Sequence, residues 1–100
     1  HQPVLMSVVN WGEVYYSIWR KYGEEVAHRK LGQIAQLPLE VVDVDMEMTK
    51  LAASFKARYK LPYADAFAAA LAQQRKAVLI TGDNDFAQVE KQVSILWTNS

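Results

Sequence analysis

The chain has 100 residues, 11 basic and 11 acidic, and no cysteine. That length limits it to one domain, which buries about 60–68% of its unfolded surface. A net charge of zero argues against an obligate basic nucleic-acid binder, yet it leaves room for an enzyme that grips phosphates through metal ions. The lack of cysteine excludes disulfides and thiolate metal sites and fits a reducing, cytoplasmic setting. No apolar run reaches the roughly 18–20 residues of a membrane span. His1-Gln2-Pro3 resembles neither a signal peptide nor a natural start.

In chain order, Pro3 to Val9 is apolar and β-branched and reads as a buried strand. Asn10 then caps a helix from Trp11 to about Lys21. Its apolar residues Trp11, Val14, Tyr15, Ile18 and Trp19 repeat at helical spacing and read as core packing. Glu13 falls in its first turn. Gly23 ends that helix, and a second follows from Glu24 to Gln36, with Val26, Leu31, Ile34 and Ala35 facing inward. Pro38 breaks the chain before a strand from Leu39 to Val44. Continuous β-branched character of this kind is typical of strands covered on both faces.

Asp43 or Asp45 caps the next helix, Met46 to Tyr59. Pro62 suits a first helical position, where its missing N–H costs nothing. The helix from Pro62 to Gln74 is rich in alanine, which permits close approach to a sheet. A third strand spans Ala77 to Thr81. After Gly82, Asp83 or Asn84 starts a short helix to about Val89, and Val93 to Trp97 forms a fourth strand. The order β-α-α-β-α-α-β-α-β implies a parallel sheet covered by helices, with ligands outside the carboxyl ends of its strands.

Glu13, Asp43/Asp45 and Asp83/Asp85 lie at those ends. Asp65 opens the alanine-rich helix. Each acid has an ordinary explanation: Asp and Asn beside Gly make turns and caps, and an acid in a first helical turn is stabilised by the helix dipole. Their agreement points further, because Mg²⁺ is held by one or two carboxylates together with waters and phosphate oxygens. Among the basic residues, Arg58 and Lys60 precede the Asp65 helix and are the best candidates for phosphate contact. His28 has no serine or cysteine placed to form a nucleophilic pair with it.

The stretch LPYADAFAAALAQQRKAVLITGDNDF, Leu61 to Phe86, resembles the C-terminal signature of PIN domains, particularly VapC-type toxin ribonucleases. In these, an Asp opens an alanine-rich helix and an apolar strand ends in Thr-x-Asp-x-Asp-Phe. The upstream SVVNWGEVYYSI is similar to the family's strand-helix segment carrying a Glu. The resemblance implies a three-layer α/β/α fold with a mainly parallel sheet. It implies Glu13, Asp65 and Asp83 as metal-site acids, Asp85 as a further catalytic acid, and Thr81 as a hydroxyl that orients the site.

It also implies Mg²⁺ or Mn²⁺, cleavage of single-stranded RNA, a protein antitoxin, and a homodimer, with strand swapping as one arrangement open to it. The family pattern begins one strand-helix unit earlier, with an apolar strand ending in Asp. Residues 1–100 are therefore expected to be a single, N-terminally incomplete PIN-like domain without the usual first strand, its acidic site incomplete and its catalysis weak or absent. Two rival readings remain. One is a non-catalytic binding or assembly module. The other is a phosphatase similar to the haloacid dehalogenases, using Asp43 of Asp43-Val-Asp45, although Glu47 departs from that pattern.

Overall fold

The computed structural model describes residues 4–98, so Pro3 of the expected first strand lies outside the described residues. They divide into two compact units, one through Asp43 and one from Val44.

In the first unit, strand β1 (Val4–Ser7) pairs in parallel with β2 (Leu39–Val42), Val4 opposite Leu39 and Ser7 opposite Val42. Helix α1 (Val8–Tyr22) follows β1 without a linker. The expected strand through Val9 is cut short because Ser7 is the cap. Its hydroxyl oxygen accepts the Asn10 N–H at 3.1 Å and donates to the Asn10 side-chain oxygen at 2.6 Å. A serine that satisfies an orphan helix donor outweighs the β preference of Val8 and Val9. Asn10 is therefore inside the helix, and Glu13 moves from the first turn to the second.

Gly23 closes α1, donating its N–H to the Trp19 carbonyl at 2.8 Å. Its φ of 101° is a conformation that side chains with a Cβ avoid. Helix α2 (Glu24–Ile34) packs back on α1. The hairpin is stapled by a ladder of rings: Trp11 on Tyr15, Tyr15 on Trp19, and both Tyr15 and Trp19 against His28. The Tyr15 hydroxyl and His28 Nε2 are 2.6 Å apart. The aromatic stripe thus forms a helix-helix seam. No residue of α1 is fully buried, and in α2 only Ala27 is.

The second unit begins with α3 (Met46–Arg58), capped by Asp45, whose carboxylate accepts the Met48 N–H at 2.8 Å. Met48, Ala52 and Phe55 recur at helical spacing and are buried. Helix α4 (Tyr63–Gln74) packs chiefly against α3 and also meets β3. Pro62 is its cap residue and has no side-chain bond to offer. Ala66, Ala69, Ala70 and Ala72 are buried along α4. Small side chains allow the close approach expected of them, with α3 as the main partner.

The chain then reverses at Arg75–Lys76, where Lys76 takes φ 52° and Ala77 donates to the Ala72 carbonyl at 2.8 Å. Strand β3 (Leu79–Thr81) pairs in parallel with β4 (Ile95–Trp97). A 3-10 helix, Asn84–Val89, separates them. Leu61, Phe86, Val89 and Val93 complete a core with Phe55 and Met48.

The α/β character and parallel pairing expected of the sequence are present. Among the described residues β1 pairs with β2 and β3 pairs with β4, each in parallel. Each strand is also a residue or more shorter than its apolar run, because ladder bonds are made only where a partner strand runs alongside. Val41, Ile80 and Leu96 are exposed side chains of β2, β3 and β4.

Candidate metal centre

Three of the expected acids come together in the second unit. Carboxylate oxygens of Asp65, Asp83 and Asp85 all lie within 4.8 Å of one another. Asp65 stands in the first turn of α4 and is half-buried, while Asp83 and Asp85 are exposed. Helix and strand reach this meeting point by opposite routes. The 12 residues of α4 carry the chain about 18 Å away at 1.5 Å per residue. After the reversal at Lys76, the extended run through β3 brings it back.

The acidic turn is built by its own side chains. The Thr81 hydroxyl oxygen accepts the Asp83 N–H at 3.0 Å. The Asp83 carboxylate accepts the Asp85 N–H at 2.9 Å, which caps the 3-10 helix. An ionised carboxylate has about four acceptor sites on its two oxygens, so one capping bond leaves Asp83 able to act as a ligand. Phe86 and Val89 are buried on the inner side of the same turn and hold it on the core.

This donor set suits a hard cation. Mg²⁺ takes oxygen ligands at about 2.0–2.1 Å, so two oxygens on one ion stand at most about 4.2 Å apart. The 4.8 Å within which the three carboxylates meet is close to that span. Three carboxylates so close repel one another, and a divalent cation relieves that repulsion.

The other expected site residues are placed as follows. Glu13 is half-buried on α1, in the first unit. Arg58 is exposed and lies along its own helix, with its guanidinium 5.5 Å from the Phe55 ring and 5.3 Å from the Tyr59 ring and Nε donating to the Ser54 carbonyl at 3.3 Å. Lys60 is exposed in the α3–α4 connection, and its backbone is held by a residue that the sequence did not single out. Gln88 accepts the Lys60 N–H at 2.8 Å and donates to the Lys60 carbonyl at 3.2 Å and the Asp85 carbonyl at 2.9 Å. Its spacing from Asp85 is a local signal, but nothing in the sequence links it to Lys60. Asp43 ends the first unit, and Asp45 serves as a helix cap.

An acid opening a helix, set against an acidic turn at the end of a parallel strand, defines an α/β protein with a carboxylate-built site. The PIN domain model matches residues 2–92, and the chain belongs to the PIN domain family. That assignment replaces the haloacid-dehalogenase reading. PIN domains are generally nucleases that use divalent metals.

Three solved structures are similar in fold. A toxin-antitoxin complex from Klebsiella pneumoniae shares 22% identity at a TM-score of 0.64, covering 90% of this chain and 69% of that one. VapBC2 from Rickettsia felis, bound to a DNA fragment from the promoter, shares 17% at a TM-score of 0.77, covering 94% and 74%. DNA-bound VapBC from Salmonella typhimurium shares 18% at 0.76, covering 92% and 73%. A search of curated proteins gives no match. No helix among the described residues is long and apolar enough to cross a membrane.

Proposed function

We propose that the chain is the PIN domain of a VapC-type toxin, a divalent-metal-dependent endoribonuclease that cleaves single-stranded RNA and is restrained by a protein antitoxin. The observation that carries this reading is the convergence of Asp65 with Asp83 and Asp85. The toxin-antitoxin complexes of similar fold support the antitoxin as partner. A second copy of the chain and a cytoplasmic setting complete the proposal.

In this reading Asp65 and Asp83 hold Mg²⁺ or Mn²⁺, and Asp85 adds a third carboxylate. Bound there, the ion supplies the charge that activates a water and stabilises the leaving oxygen of an in-line displacement. Thr81 keeps the Asp83 backbone in place through its hydroxyl. A carboxylate of the set takes the water's proton. Glu13 joins the acid set by its place in the sequence pattern. Arg58 and Lys60 are the proposed phosphate contacts.

The test is cleavage of a labelled single-stranded RNA by the full-length protein with Mn²⁺ or Mg²⁺. Asp65→Asn and Asp83→Asn should each abolish turnover, as should chelation of the metal. Undiminished cleavage by either variant overturns the assignment. Glu13→Gln, assayed in parallel, tests the place of Glu13 in the set.

A further inference from the structure

Gln88 makes a set of bonds that the proposed chemistry has not used. Its side-chain amide has two N–H donors and a carbonyl acceptor, and its three bonds engage all of them: the Lys60 N–H, the Lys60 carbonyl and the Asp85 carbonyl. These partners also fix which amide atom is which, since the reverse orientation would set an oxygen against two carbonyls.

The two anchor points matter more than the number of bonds. Lys60 lies in the connection that delivers the chain into α4, where Asp65 sits in the first turn. Asp85 is one of the acids of the turn. The Thr81–Asp83 and Asp83–Asp85 bonds each join residues two apart. They shape the turn but do not set its distance from α4. Gln88 bridges 28 residues of sequence and ties the two acid-bearing segments to each other. Phe86 and Val89 are buried on either side of it in the sequence, so apolar packing keeps the 3-10 helix on the core independently of the amide.

We infer that Gln88 is a positioning residue, whose amide clamps the Asp83–Asp85 turn to the segment preceding Asp65 and so sets the spacing of the carboxylates for a divalent cation. This rests on the metal-site reading above. Groups that orient metal ligands typically govern metal affinity by about 10–100-fold.

The experiment uses the full-length protein with Gln88→Ala, Gln88→Glu and, as a control, Gln73→Ala, which loses a single side-chain bond to the Gln92 carbonyl. In the metal-free protein, amide hydrogen exchange at Lys60 should quicken in Gln88→Ala. Mn²⁺ calorimetry should show about a tenfold loss of affinity in both Gln88 variants and none in Gln73→Ala.

Gln88→Glu is the sharper case. Added negative charge alone predicts tighter cation binding, whereas loss of both N–H donors predicts weaker binding. Unchanged exchange at Lys60 overturns the clamp whether or not metal binds. Unchanged Mn²⁺ affinity in Gln88→Ala, with binding lost in Asp65→Asn, overturns the positioning role and leaves the metal site standing. A wild-type protein that binds no Mn²⁺ overturns the metal-site reading, and this inference with it.

Discussion

Asp83 does two jobs at once: one oxygen caps the 3-10 helix through the Asp85 N–H, and its carboxylate still reaches those of Asp65 and Asp85. Turn capping and membership of the acidic cluster are therefore compatible roles for Asp83. Thr81 has the same logic, because its hydroxyl fixes the Asp83 N–H and thereby the direction of the acidic turn. Thr81→Val keeps the volume and removes the acceptor. It should weaken Mn²⁺ binding by about tenfold, and Thr81→Ser should restore it. Full affinity in the valine variant would show that the hydroxyl does not orient the site.

Helix α1 shows how a single cap decides an element's boundary. Ser7 is fully buried at the end of β1 and starts the helix three residues earlier than Asn10 would. Replacing it with alanine removes the acceptor for the Asn10 N–H. The expected cost is about 1–2 kcal/mol, a drop of about 4–8 °C in melting temperature for each kcal/mol in a chain of this size. Circular dichroism melting of Ser7→Ala measures it, and an unchanged midpoint would mean that the cap is dispensable. Gly23 and the Tyr15–His28 contact act one level up, turning α1 back on α2 and holding the hairpin closed. The turn glycine was legible. The Tyr15–His28 pairing was not, because it depends on how the two helices face each other.

At the scale of the molecule, the acidic site stands on the core of the second unit. Phe55 on α3 is fully buried with Leu61, Met48 and Val89. Phe55→Ala should cost about 3–5 kcal/mol, a large share of the roughly 5–15 kcal/mol that holds a typical domain together. Urea denaturation reads this directly, and a loss below about 1 kcal/mol would show that the core does not depend on that ring. Because α3, α4 and the 3-10 helix share this core, the same variant should also lower Mn²⁺ affinity at temperatures where it stays folded.

The sequence by itself determined the order of elements, their helical or extended character and the family, since these depend on local periodicity, caps and a contiguous motif from Leu61 to Phe86. It also marked Asp65, Asp83 and Asp85 as acids at element ends. Only the tertiary structure decided that these three meet, because the meeting depends on a reversal at Lys76 that carries no glycine and on α4 packing back along α3. The bridge from Gln88 to Lys60 was likewise decided by tertiary structure. Hydrogen bonds between segments distant in sequence leave no periodic trace in either segment, so they become visible only once the chain has folded.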